Sequence, residues 1–307
     1  MHEFLHGKGP NMRFKHFTAA FLLFGWVCLA CAQTPTASAA PAYVLPESET
    51  WELTSKEGDR YEIFVSIPSG TPPPADGYPV LYVLDGNTVF ASFAEARRIQ
   101  EISDEKLANT LIVAVGYPTD KAYDFKRRMY DLTPPFPPQV PVSEKPFASW
   151  KVGGQEQLAS FLLERLRPEL GKRHPINLNR QALFGHSLGG LFALHMLFRH
   201  PDAFHAIIAA SPSIYWSDQE ILSEEREFTE RLKQSRSPVR MARILLVAGE
   251  REETRLELWD VEPLAQRLSL LSGYGLRSHV EIFKDETHLT VPTRAITPAM
   301  RFAFSWP

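Results

Sequence analysis

Ala182-Leu183-Phe184-Gly185-His186-Ser187-Leu188-Gly189-Gly190-Leu191-Phe192-Ala193-Leu194 passes from an apolar stretch of strand character, through Gly-His-Ser-Leu-Gly, into a segment of helical character. That is G-x-S-x-G in a strand-turn-helix setting. Such a turn lifts a serine hydroxyl above the end of a sheet, and glycines on either side are expected to remove Cβ clashes. Ser187 also lies at the positive end of the following helix, which favours negative charge developing beside it. Ser187 is therefore the candidate nucleophile, weighed against the plainer reading of a glycine-rich packing turn with an idle serine.

Working outward, apolar runs of strand length alternate with segments of helical period from Trp51 onward, the pattern of an α/β sheet with crossover helices. Trp51 to Ser55 and Tyr61 to Ile67 flank the turn cluster Lys56-Glu57-Gly58-Asp59, predicting an antiparallel hairpin at one sheet edge. Continuous apolar runs at Val80–Leu84, Leu111–Val115, Ala182–Phe184, Ala206–Ala210, Ile244–Ala248 and Val280–Phe283 read as buried parallel strands. Helices are expected at Val89–Glu101, Gln155–Leu170, Leu188–Arg199, Asp218–Lys233 and Glu262–Leu271. The interval 117–154 shows no regular pattern and holds seven prolines among aromatic and basic residues; it reads as a cap over a site.

A serine hydroxyl needs a base, and in this architecture the order is Ser, acid, His. Of ten histidines, three lie in the first sixteen residues, His186, His195, His200 and His205 surround the turn and its helix, His174 precedes them and His279 begins a strand. His288, in the loop after Val280–Phe283, is the candidate base. The acid is expected after Ile244–Ala248, where Gly249-Glu250-Arg251-Glu252-Glu253 offers three carboxylates. A glycine followed three residues later by an acid selects Glu252, with Glu250 and Glu253 as alternatives and a Ser/His dyad as another. It would hold the imidazole tautomer. Oxyanion donors are expected from the backbone N–H of Leu188 and from Asp85-Gly86-Asn87, where Gly86 would let the backbone approach a substrate.

Other classes fall away on composition. A 307-residue chain with 44% hydrophobic and 22% charged residues can bury a sizeable core, and a net charge of −3 leaves no basic excess for nucleic acid. There is no H-E-x-x-H motif, His195 and His200 are five apart rather than four, and no dinucleotide or P-loop signature occurs, so neither catalytic metal nor cofactor is expected. Both cysteines, Cys28 and Cys31, lie near the end of the apolar run Phe17–Ala32 behind Arg13, Lys15 and His16. The run is short for a membrane span and Ala30-Cys31-Ala32 fits a cleavage site, so residues 1–32 read as a signal peptide, with Met12 an alternative start. Residues 33–48 read as a flexible linker and 49–307 as the catalytic domain. Export to the periplasm or medium is expected, with lipidation at Cys31 as the alternative.

Tyr78-Pro79-Val80-Leu81-Tyr82-Val83-Leu84-Asp85-Gly86, Val115-Gly116-Tyr117, Arg127-Arg128-Met129-Tyr130-Asp131-Leu132-Thr133-Pro134, the Ser187 motif, Ser211-Pro212-Ser213-Ile214-Tyr215-Trp216 and His288 together resemble the esterase D-like branch of α/β-hydrolases. In particular they resemble its periplasmic esterases that cut the trilactones of catecholate siderophores such as enterobactin and salmochelin. The resemblance runs from about Trp51 to the C-terminus. It implies an α/β-hydrolase fold with helices on both faces of a mostly parallel sheet, Ser187 and His288 as catalytic residues, and Gly86, Asn87 and Leu188 around the oxyanion hole. It also implies Arg128 and Asp131 beside the cleft.

Arg127, Arg128, Trp150, Tyr215 and Trp216 offer cation and aromatic faces suited to an anionic aromatic ester. The plainer readings are an Arg128/Asp131 ion pair bracing the loop and a helix-capping core for Tyr215 and Trp216. Simple acyl or acetylated-carbohydrate esters compete with siderophores as substrate, and a ligand-binding protein on a hydrolase fold is the reading from another class.

Overall fold

Residues along the inner strands alternate between two apolar cores, one on each face of a single sheet. In β3 (Tyr78–Leu84), Val80, Tyr82 and Leu84 enter one core while Leu81 and Val83 enter the other. In β4 (Leu111–Gly116), Ile112 and Ala114 oppose Leu111, Val113 and Val115 in the same way. Strands buried on both faces need no polar side, which is why they read as unbroken apolar runs. The helices Leu188–Arg199 and Ile221–Gln234 cover one face, and Gly86–Gln100 and Ile296–Phe304 the other.

The computed structural model describes residues 42–69, 72–102, 104–136, 149–235, 241–252 and 258–305. The expected signal peptide with Cys31, most of the expected linker, residues 137–148 of the expected cap, and Glu253 lie outside them. The chain divides into a unit Met1–Val44 and a unit Leu45–Pro307. The described residues of the first, 42–44, form no helix or strand. In the second, Leu45 to Ser48 already belong to the packed body. Leu45 packs on a core, the Ile67 N–H donates to Glu47 O at 2.8 Å, and Ser48 opens β1.

The eight strands run in the order β1-β2-β4-β3-β5-β6-β7-β8. β1 (Ser48–Thr54) and β2 (Arg60–Ser66) form the expected antiparallel hairpin at the edge, and β2 is also antiparallel to β4. β3, β4, β5 (Ile176–His186), β6 (Ala206–Ala210), β7 (Arg243–Gly249) and β8 (Ser278–Phe283) are parallel to their neighbours among themselves. Strand order reverses at β3: β4 lies on one side of it and β5 on the other. Ligands of open α/β sheets bind beyond the carboxyl ends of strands at such a switch point.

Several expectations need correction. Val280–Phe283 was expected to be buried, but β8 is the far edge strand and mostly half-buried. β5 is far longer than Ala182–Phe184, because its polar first half Ile-Asn-Leu-Asn-Arg pairs with the start of β3 through a register shift and carries no apolar run. The interval 117–154 is not without regular structure: Phe125–Asp131 is a helix, N-capped by the Asp124 carboxylate accepting from the Arg127 N–H at 3.1 Å. The helix expected from Asp218 begins at Ile221, because Ser217, Asp218 and Gln219 take left-handed backbone angles. The helix from Gln155 continues to Arg173 through a π-type turn at Phe161–Leu166. Among the described residues no helix is long and apolar enough to cross a membrane.

Candidate active site

β5 ends in a turn that forces Ser187 to φ 58° and ψ −118°, a region non-glycine residues rarely occupy. Backbone bonds hold it there: the Ser187 N–H donates to Ala210 O at 2.9 Å, and Ser187 O accepts from the N–H groups of Leu191 and Ser213 at 3.0 and 3.1 Å. A Cβ on Gly185 would sit 2.0 Å from Gly189 O, so glycine is obligatory there. The same was expected of Gly189, but a Cβ there meets its nearest neighbours at an ordinary 3.6 Å. The second crowded position is Gly190, whose Cβ would lie 2.8 Å from Ala210 O.

The loops after β5, β7 and β8 bring Ser187, His288 and Glu252 into one hydrogen-bonded chain. His288 Nε2 lies 3.1 Å from Ser187 Oγ, and His288 Nδ1 lies 3.2 Å from Glu252 Oε2. Glu252 is buried, and its other oxygen accepts from the Gly249 N–H at 2.6 Å and Ser211 Oγ–H at 2.5 Å. With Oε1 filled in this way, Oε2 is left to accept the Nδ1 proton, which directs Nε2 towards the serine. Glu250 instead accepts from the Asp285 N–H at 3.0 Å and ties the β7 and β8 loops together.

His186, which sequence reasoning passed over, supports this arrangement. Its Nε2–H donates to the His288 carbonyl at 2.8 Å, and the two rings are 4.6 Å apart. Burial lowers its pKa to about 3, with His288 and Arg128 adding to the effect, so it stays neutral. Its place inside the G-x-S-x-G motif marked its position but not its partner.

Gly86 and Leu188 are the first residues of their helices, so their N–H groups have no intrahelical acceptor. Gly189 packs against Leu84 and Asp85, which brings the end of β3 beside the turn after β5. The glycine at 86 is needed for a different contact from the one expected: its Cβ would fall 3.0 Å from the Val115 carbonyl carbon and 3.1 Å from Gly116 N, against β4. The Asn87 side chain clamps the loop after β4, accepting from the Tyr117 N–H and donating to Tyr117 O, both at 2.8 Å.

Both arginines proposed for ligand contact are engaged. Arg128 does not pair with Asp131; it forms a fork with Asp85 at 2.9 and 3.0 Å and lies over Tyr123. Arg127 takes Asp131, at 3.2 Å, and also lies over Tyr61 and Tyr117. Helix spacing allows Asp131 to meet either arginine; Arg128 goes instead to the buried Asp85 carboxylate just beyond β3, which leaves Asp131 to Arg127 at i+4. Trp216 is buried and stacks on Phe136, while Tyr215 is partly exposed.

A cleft of about 640 Å³ opens beside this brace. Trp150 lines it together with Thr119, Lys121, Ala122, Tyr123, Asp124, Phe125 and Lys126. Its lining includes neither Ser187 nor His288; the link to that end of the sheet runs through the protein, with Tyr123 under Arg128, Arg128 on Asp85, and Asp85 preceding Gly86. Lys121, Tyr123, Phe125 and Lys126 were not singled out in the sequence, although their aromatic-basic alternation inside a long loop was the available signal.

Known proteins resemble this chain over most of its length. Residues 54–288 match the family described as Putative esterase. The chain is 39% identical over 269 residues to the ferri-bacillibactin esterase BesA of Bacillus subtilis, covering 85% of this chain and 91% of that protein. It is 38% identical over 285 residues to the siderophore enterobactin esterase of Emericella nidulans, covering 82% and 92%. The solved structure of the BES protein from Bacillus cereus superposes with a TM-score of 0.78 at 33% identity, covering 87% of this chain and 99% of that one. With a family match over residues 54–288 and relatives that align over most of their length, the chain belongs to the Putative esterase family of α/β-hydrolases and is a carboxylic-ester hydrolase.

Proposed function

We propose that this chain cleaves the ester bonds of catecholate trilactone siderophores through a serine acyl-enzyme. The observation that carries the reading is the chain of contacts Ser187 Oγ, His288 Nε2 and Nδ1, Glu252 Oε2. Ser187 Oγ attacks the ester carbonyl while His288 Nε2 takes its proton, and the backbone N–H groups of Gly86 and Leu188 receive the negative oxygen. Collapse expels the alcohol, which recovers the proton from His288. Water, deprotonated by the same nitrogen, then releases the acid and restores Ser187. Glu252 holds the Nδ1–H throughout and stabilises the imidazolium. Substrate choice rests on the names of the relatives and on the cleft, where Tyr123, Phe125 and Trp150 offer faces to catechol rings and Lys121 and Lys126 offer positive charge to an anionic complex. The apolar run Phe17–Ala32 supports action outside the cytoplasm, which the mass of the mature N-terminus from a secreting host checks.

The test is a hydrolysis panel of ferric and iron-free catecholate trilactones against short-chain aryl esters, beside Ser187→Ala. The expected result is trilactone turnover that falls on the order of a million-fold in the variant. Turnover of aryl esters with indifference to both trilactones removes the siderophore and leaves a general acyl esterase. A loss of only a few-fold in Ser187→Ala removes the serine mechanism.

A further inference from the structure

A second cluster of histidine and carboxylate lies away from Ser187, at the other end of the helix Leu188–Arg199. His195 is buried, with 1% of its side chain exposed. Its Nδ1 meets the Glu224 carboxylate at 2.9 Å, and Glu224 is itself anchored by Arg199 at 3.5 Å. His195 Nε2 is buried and makes no hydrogen bond among the described residues; it faces Glu156 Oε1 at 3.2 Å without hydrogen-bond geometry. His200 Nε2 lies 3.3 Å from the other oxygen of Glu156. One ligand atom from each of Glu156, His195 and His200 lies within 4.8 Å of the others.

We propose that Glu156, His195 and His200 bind a divalent cation of the zinc class, with Glu224 orienting His195 from behind. Bonds of about 2.0–2.1 Å in a tetrahedron place ligand atoms roughly 3.3 Å apart, the spacing of the two carboxylate-imidazole pairs here. Two imidazoles and one carboxylate, with water in the fourth position, select zinc-like ions over magnesium or calcium. A carboxylate on the far nitrogen of a ligating histidine fixes its tautomer and raises its basicity, and Glu224 stands where that partner belongs. Glu156 and His200 are partly exposed, so an ion can enter and these two side chains can close on it.

The five-residue spacing that excluded a metal in the sequence holds for an unbroken helix, where residues five apart point about 140° from one another. His200 is the cap, with φ −128° and ψ 57°, and leaves the helix in time to face His195. The site joins the start of the helix at Gln155 to the end of the helix whose first turn follows Ser187, so it acts as a brace across the core.

Zinc titration of the chelator-treated full-length protein, by calorimetry and by thermal shift, tests this. Running it on Ser187→Ala as well separates it from the esterase reading. Saturable 1:1 binding with a raised Tm is expected, weakened on the order of a hundredfold in His200→Ala and in Glu156→Gln, and about 10- to 100-fold in Glu224→Gln. Because His200 and Glu156 are partly exposed, these two variants do not depend on refilling a core. Magnesium in place of zinc should leave the Tm unchanged. Absence of saturable zinc binding, or equal affinity in the parent chain, His200→Ala and Glu156→Gln, overturns the proposal.

Discussion

Two histidines near one helix receive almost the same treatment and end with different partners. His288 has Glu252 on Nδ1 at 3.2 Å and the Ser187 hydroxyl on Nε2 at 3.1 Å. His195 has Glu224 on Nδ1 at 2.9 Å and the Glu156 carboxylate beyond Nε2 at 3.2 Å. The eight residues from 187 to 195 carry the chain roughly 12 Å along the helix axis. A carboxylate behind an imidazole is therefore a general way to aim its other nitrogen. What that nitrogen faces sets the chemistry: a strained serine at the switch point in one case, a carboxylate and a second imidazole at a helix cap in the other.

The sharpest way to break the comparison is to remove the backing carboxylate from each. Glu252→Gln is expected to lower ester turnover by a factor on the order of ten thousand, because the wrong tautomer then faces Ser187. Glu224→Gln should leave turnover within a few-fold, and steady-state kinetics of both on one aryl ester measures the contrast. Equal losses would mean that the two clusters act as one site.

Next in size is the backbone at the crowded end of the helix. Gly185→Ala drives a Cβ into Gly189 O and is expected to cost about 3 kcal/mol in chemical denaturation. Gly189→Ala meets only ordinary contacts and gains helix propensity, so it should be neutral or stabilising by up to about 1 kcal/mol. A Gly189→Ala chain as unstable as Gly185→Ala would contradict the packing described.

The last test concerns His186 and pH. Its folded pKa, about 3, lies below the ordinary 6.5, so the unfolded chain binds the extra proton. Stability from this group is fully present above pH 6.5 and is lost as pH falls towards 3, by at most about 1.4 kcal/mol per unit. Asp131 opposes it: burial raises its pKa to about 6, so it binds its proton more tightly when folded. Subtracting the pH profile of His186→Asn from that of the parent isolates the histidine, and a flat difference between pH 6.5 and 3 would contradict its burial as a neutral ring.

Residues that were legible in the sequence were those whose reason is local. Gly185 and Ser187 sit in one tight turn, and Val80–Leu84 and Ala206–Ala210 are apolar throughout because both their faces are covered. β8 misled because an edge strand keeps one open side, and Phe125–Asp131 was hidden because a single polar cap in a proline-rich stretch leaves no period. Among the acids, Glu250 and Glu252 differ by two positions and cannot be ranked by residue type. The turn at Gly249 buries Glu252 against Ser211 and leaves Glu250 on the Asp285 backbone.

The chain by itself determined the order of strands and helices, the strained turn at Ser187 and the arrival of a histidine late in the fold, since each follows from covalent neighbours and hydrophobic period. Tertiary structure alone decided who meets whom: Arg128 with Asp85, Arg127 with Asp131, Asn87 with the Tyr117 backbone, and His195 with a cap residue five positions on. Such pairings depend on side-chain direction and on burial, which make one carboxylate among several the least costly partner for a buried cation or ring.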